Sequence, residues 1–271
     1  MKALLLITPL LATLACQGKG VTREDVDAVV KRLPAEGLQK LARRRVYFGH
    51  QSVGQNIAEG IAQVARLRPE AGLRLLESRA PDALATPGIA HALNGRNHEP
   101  LTKITDFSET LRVGMGGAAD IALFKFCYVD FPPGTDVDRV FAEYRSALAA
   151  LRLAHPKVRF VHVTSPLTIV QTGPKALVKS LLGRPLWGAD ANQVRERFNE
   201  LLRREYQGKE PFFDLAAVES RRPNGETATF RAAGRTWPAL APEYSSDGKH
   251  LNELGSRWVA AHLLEALASV D

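Results

Sequence analysis

Apolar positions recur along this chain in two rhythms. Val26, Val29, Val30 and Leu33 fall three or four residues apart, the spacing of one helical face. Thr22, with Asp25 three residues later, starts that helix as a capping box, and Pro34 and Gly37 interrupt it before LQKLARR. Val46-Tyr47-Phe48 is a short unbroken apolar run ending at Gly49 and reads as a strand. A helix follows from about Gly54 to Leu67, with Ile57, Ile61 and Val64 on one side. LRLLES (73–78) reads as a second strand. IALFKFCYV (121–129), the most hydrophobic run of the mature chain, suits a central strand covered on both faces. VDRVFAEYRSALAALRLA (137–154) is helical, with Val140, Tyr144, Leu148 and Leu151 along one face. VRFVHVTS (158–165) is a fourth strand, ANQVRERFNELLRREY (191–206) a helix, PFFDLAAV (211–218) a fifth strand, and Glu253 to Val270 a last helix.

Strands alternating with helices imply a mostly parallel sheet covered on both faces, a three-layer α/β/α domain. Two stretches break the alternation. Residues 80–118 are rich in Gly, Pro, Asn and His, with a short helix near 101–111. Residues 219–246 hold a small hairpin around Asn224-Gly225. Ligands of α/β sheets sit beyond the carboxyl ends of the strands, so the long loops leaving those ends are where chemistry is sought.

The first sixteen residues, MKALLLITPLLATLAC, change the cellular picture. Lys2 is a positive start, and Ala3 to Ala15 is apolar but too short to span a bilayer. Ala15 before Cys16 resembles a bacterial lipoprotein signal, in which Cys16 is lipidated. The expected organisation is a signal over 1–16, a tether and helical segment over 17–44, and one domain over 45–271. The expected location is the periplasm or the cell surface, with membrane attachment through lipid on Cys16. Only two cysteines are present, so lipid on Cys16 leaves Cys127 without a disulfide partner. Composition is ordinary for a globular domain, 45% hydrophobic and 24% charged, with a formal charge of +7. The arginines are scattered and form no basic stripe interleaved with aromatics, which argues against nucleic acid as a partner. No obligate protein partner is implied.

Two motifs carry candidate chemistry. Gly49-His50-Gln51-Ser52-Val53-Gly54 places a serine between a strand and a helix, with its backbone N–H near a positive helix start. Taken alone, Ser52 also reads as a helix N-cap. Ser246-Asp247-Gly248-Lys249-His250-Leu251-Asn252 places an aspartate three residues before a histidine on one tight loop. Such an aspartate fixes one tautomer of the imidazole and leaves the other nitrogen to take a proton from serine.

An early strand-end serine and a late Asp-x-x-His loop before the final helix resemble the SGNH/GDSL hydrolase family, over most of residues 45–268. The resemblance implies a flavodoxin-like, mostly parallel five-stranded sheet of order 2-1-3-4-5 and a cofactor-free ester hydrolase. It makes Ser52 the nucleophile, His250 the base and Asp247 its orienting acid. The family usually begins Gly-Asp-Ser; here His50-Gln51 precede the serine, and His50 is either a substrate contact or a polar loop residue. The implied oxyanion hole takes the Ser52 N–H, the Gly95 N–H and, in place of the missing family asparagine after the third strand, the Asn97 amide. Asn97 also reads as a turn former. Asp130 is expected to bond backbone between loops. Lys125, in an apolar strand, must pair with Asp120 or Asp130 or reach the site mouth. Cys127 reads as a buried small hydrophobe. His91, His98, His155 and His162 lack metal-ligand spacing, so no metal is expected. The expected substrate is a small-molecule or carbohydrate ester of the envelope or extracellular space, acetyl especially. The rival expectation is a catalytically weak surface lipoprotein that binds glycan or assists envelope assembly.

Overall fold

Thr22 caps the first helix, α1 (Arg23–Arg32), as the sequence predicts: its hydroxyl accepts from the Asp25 N–H, and the Asp25 carboxylate accepts from the Thr22 N–H. The computed structural model describes residues 20–182, 184 and 186–271. The signal segment and Cys16 therefore lie outside the described residues. After α2 (Ala35–Ala42) the chain alternates: β1 (Arg45–His50), α3 (Val53–Leu67), β2 (Leu75–Glu77), β3 (Gly88–Leu93), α4 (Pro100–Thr110), β4 (Ile121–Phe124), α5 (Val137–Ala154) and β5 (Arg159–Val163). It continues with α6 (Pro174–Leu181), α7 (Ala189–Tyr206), β6 (Phe212–Phe213), α8 (Leu215–Ser220), a β7 (Thr229–Ala232) and β8 (Arg235–Pro238) hairpin, and α9 (Glu253–Ala268).

The main sheet has six strands in the order β2-β3-β1-β4-β5-β6, all paired in parallel. This corrects the five-stranded expectation. The added strand, GIAHAL, takes the place beside β1, with Gly49 opposite Ala92 and His50 opposite Leu93. Its alanines and histidine give little of the β-branched signal that marks a strand, and Pro87 precedes it. PFFDLAAV is corrected as well. Its strand stops at Phe213 because Asp214 caps α8, accepting from the Ala217 N–H while Arg203 holds the same carboxylate. In the 219–246 stretch Asn224-Gly225 closes a small turn bridging Arg221 and Thr227, and a second hairpin turns at Ala233-Gly234.

Alternation along the strands builds two cores. Val46, Phe48, Ile121, Leu123, Val161 and Val163 face α1, α2, α3 and α9. Tyr47, Ala122, Phe124 and Phe160 face α4, α5 and α7. On the first face α3 and α9 approach so closely that a Cβ on Gly60 would be driven into the Ser256 carbonyl oxygen. On the other, a buried ion pair, Lys103 Nζ to Asp130 Oδ2 at 2.6 Å, ties α4 to the turn after β4. Asp130 also accepts the Cys127 N–H at 2.6 Å and the His98 N–H at 3.0 Å, so one carboxylate knits two loops at the carboxyl edge of the sheet.

The α3–α9 contact gives a direct test. Gly60→Ala should lower the free energy of unfolding by about 1–3 kcal/mol, because overpacking a rigid contact forces backbone to shift. Urea unfolding of the two proteins measures it, and an unchanged midpoint would show that the contact can yield.

Candidate active site

Ser52 stands where β1 ends and α3 begins, with φ 48 and ψ −104. That is an unfavourable conformation for a residue with a Cβ, worth about 1–3 kcal/mol of strain. It is held by the helix start, where the Gly54 N–H donates to the Gln51 carbonyl and the Gln55 N–H to the Ser52 carbonyl. The strained backbone also decides what the hydroxyl does. Ser52 makes no side-chain cap bond to α3; its Oγ lies 2.7 Å from His250 Nε2 instead.

His250 comes from the loop before α9, and Asp247 organises that loop. Its Oδ1 accepts the N–H groups of Lys249 and His250, each at 2.8 Å, and its Oδ2 lies 2.6 Å from His250 Nδ1. Gly248, at φ +80, makes the turn, and its carbonyl accepts from the Ile169 N–H. Partial burial pushes the Asp247 carboxyl upward. The hydrogen bonds from the His250 ring and from the His250 and Lys249 backbone outweigh that and hold it well below the usual carboxylate range. An ionised Asp247 can only accept, so Nδ1 carries the proton. In the neutral ring Nε2 is then bare toward the serine O–H. The side chains of His250 and Asp247 are 41% and 52% exposed, so the site is open to a large substrate.

The structure thus brings Ser52, His250 and Asp247 into one hydrogen-bonded series, and it treats the other candidates differently. The Gly95 N–H is spent on Asp106 Oδ2 at 2.7 Å, which removes it as a free oxyanion donor. Gly95 instead offers its carbonyl to Gln51 Nε2. Asn97 turns its Oδ1 to Lys103 Nζ, 2.9 Å away, because the buried ammonium recruits a second acceptor there. Among the described residues the Ser52 N–H makes no backbone hydrogen bond. His50 is not at the mouth. It is buried with its Nε2 3.0 Å from His91 Nδ1, since the strand directs it inward on the same side as Phe48. Burial, the Lys125 charge and the His91 charge push its pKa down to about 3.

Tyr128 is the residue the sequence reading missed. Its phenol oxygen lies 3.4 Å from His250 Nε2, and its ring meets the imidazole edge to face at 5.5 Å between centroids. Arg195 holds it from behind, Nε donating to the Tyr128 carbonyl at 2.8 Å and the guanidinium lying 5.8 Å from the ring. The signal was its place in the turn after the most hydrophobic strand, directly before Val129-Asp130. A cavity of about 260 Å³ opens beside it, bounded by Tyr128, Pro132, Trp187, Ala191, Arg195 and Lys249.

Lys125 takes neither expected partner. Asp120 pairs with Arg45 and Asp130 with Lys103. Lys125 Nζ is fully buried and, among the described residues, bonds only to the Phe126 carbonyl at 3.3 Å. Its chain runs beneath Gly54, where a Cβ would lie 2.9 Å from Lys125 Cε. Burial pushes its pKa down to about 8, with Lys103 adding to the shift and Asp130 and Glu219 opposing it.

No family model matches the chain, and no curated protein matches it. Among solved structures it is similar to a Streptococcus pneumonia protein described as a platelet activating factor, at 13% identity over 90% of this chain and 93% of that one, TM-score 0.47. It is similar to the periplasmic domain of a lipopolysaccharide acetyltransferase of Salmonella ser. Paratyphi A, at 12% identity over 83% and 84%, TM-score 0.42. A third is the salicylyl-acyltransferase SsfX3 of a tetracycline biosynthetic pathway, at 14% identity over 81% and 53%, TM-score 0.38. Likenesses this distant carry no argument about reaction, which rests on the geometry of the site.

Lys125 makes the pH dependence of stability testable. With a folded pKa of about 8 against its ordinary 10.5, the unfolded chain binds more protons between those values, so this group makes stability rise with pH across that window. Below about pH 8 the cost is fully present, on the order of 3 kcal/mol. Lys125→Met should therefore be more stable than wild type at pH 7, with the gap narrowing toward pH 10.5. Urea titrations at several pH values measure this, and a pH-independent gap would contradict it.

Proposed function

We propose that this chain is a serine ester hydrolase working through an acyl-Ser52 intermediate, with O-acyl groups on envelope or extracellular carbohydrate, acetyl especially, as its substrate class. One observation carries the reading. Ser52, His250 and Asp247 are bonded in series at 2.7 and 2.6 Å, although 198 residues separate the serine from the histidine. A serine held in strained backbone for the sake of a helix cap would bond the helix; this one bonds an imidazole. The order of the motifs, and their resemblance to the SGNH/GDSL hydrolases, support the same reading.

The reaction follows from the hydrogen bonds. As Ser52 Oγ attacks the acyl carbon, His250 Nε2 takes its proton and Asp247 stabilises the imidazolium. Collapse breaks the ester bond, and the departing alkoxide takes the proton from His250. Water then repeats the sequence, His250 removing its proton and returning it to Ser52 as the acid is released. The small cavity beside Tyr128 suits a short acyl group better than a long chain. Trp187, 48% exposed and with the Lys249 ammonium 5.9 Å from its ring centre, offers a flat amphipathic face of the kind that sugars stack on. The leader MKALLLITPLLATLAC supports export and lipid anchoring at Cys16. Among the described residues no helix is long and apolar enough to cross a membrane.

A fluorophosphonate probe should label the wild-type protein at Ser52 and leave Ser52→Ala unlabelled. Asp247→Asn should hydrolyse an aryl acetate about 10⁴-fold more slowly with unchanged thermal unfolding, since amide nitrogen favours the wrong tautomer. Folded Ser52→Ala and Asp247→Asn proteins that keep the wild-type biological role would overturn hydrolysis and leave glycan binding as the role of the fold.

A further inference from the structure

Attack by Ser52 moves a negative charge onto the former carbonyl oxygen, and that oxygen needs donors placed in advance. The Ser52 N–H, at the start of α3, is one. Of the second donors that the sequence suggests, the Gly95 N–H is bonded to Asp106, and Asn97, exposed on its loop, is held by its carbonyl on Lys103; position 129, beside Asp130, is an apolar valine. Tyr128, by contrast, brings a hydroxyl to the reacting atoms themselves. Its oxygen and Ser52 Oγ are both neighbours of His250 Nε2, at 3.4 and 2.7 Å.

We propose that the Tyr128 phenol, with the Ser52 N–H, forms the oxyanion hole of this site, a role that rests on the serine-hydrolase reading. In the free protein Nε2 has one lone pair, and the shorter contact goes to serine. The phenol proton is therefore held only at long range and is free to turn to the oxygen that becomes charged. The ring is already fixed. Arg195 bonds its backbone and lies against its face, and Arg195 is itself held by Asn192 Oδ1 at 2.5 Å and Thr168 Oγ1 at 3.1 Å. Burial is the main reason the Tyr128 hydroxyl titrates above its ordinary range, so it stays a donor. A phenol on a rigid turn thus replaces the side-chain amide, and no proton is transferred by it.

Steady-state hydrolysis of p-nitrophenyl acetate and of an alkyl acetate by Tyr128→Phe tests this. The expected result is a kcat lower by 10²–10³-fold on both esters, with KM and melting temperature close to wild type. An unchanged or raised kcat would overturn the proposal, showing that the phenol only competes with Ser52 for His250. A loss confined to the alkyl ester, whose leaving group needs more help, would also overturn it and place the phenol on the leaving oxygen. A wild-type protein that neither turns over nor reacts with fluorophosphonate removes the hydrolase reading together with this one. Turnover with a normal Tyr128→Phe variant removes this one alone.

Discussion

Helix α3 follows Ser52 directly and α9 follows His250 by three residues, so the meeting of serine and imidazole is set by how two helices pack. That packing leaves no freedom at Gly60, where the α9 backbone occupies the space of a side chain. The approach also fixes the depth at which each helix starts. At Gly255, in the first turn of α9, an added Cβ would run into the Tyr244 carbonyl, so the loop carrying Asp247 and His250 is clamped from below as well. Hydrogen-bond geometry good to a few tenths of an ångström at an exposed site needs such a rigid base, because the exposed groups have few packing contacts of their own.

Beneath the loop that carries Ser52 the protein bears a cost that stability alone does not explain. Lys125, His50, His91 and Asn94 are all buried there. Among the described residues His50 Nδ1 and Asn94 Oδ1 have no hydrogen-bond partner. Apolar residues of similar volume would pack there without the desolvation that an ammonium and two imidazoles incur. The polar layer lies under the helix start that presents the Ser52 N–H. A positive charge at Lys125 there reinforces the positive end of the α3 dipole.

Much of this was legible in the sequence, for identifiable reasons. The long helices, the strands of β1, β4 and β5 and the Ser52 and Asp247-x-x-His250 motifs rest on local patterns: periodicity, capping residues and loop spacing. GIAHAL was not legible as a strand, because its place beside β1 comes from tertiary pairing and its alanines carry little strand preference of their own. The end of β6 was hidden for the opposite reason, since Asp214 imposes a helix on residues whose apolarity suits a strand. Gly95 and Asn97 are the right residue types in the right loop. What the sequence does not display is competition: Asp106, from α4, takes the Gly95 N–H, and Lys103, from the same helix, orients Asn97 through its carbonyl. Tyr128 became visible only when the turn after β4 was folded against Arg195.

If the chain is exported, as its leader suggests, the distance along it between Ser52 and His250 has a further meaning. A nucleophile and base on one hairpin would assemble as soon as that hairpin formed. Here the serine lies in the first fifth of the chain, and His250 is held beside it by the packing of α9, the last of the described helices, on α3. A polypeptide threading through a membrane pore, or one lacking its last helix, carries the serine without the docked imidazole beside it. On the esterase and export readings together, reactivity is thus a property of the finished fold alone, and the compartment that makes the chain is spared an indiscriminate acyl-transfer catalyst.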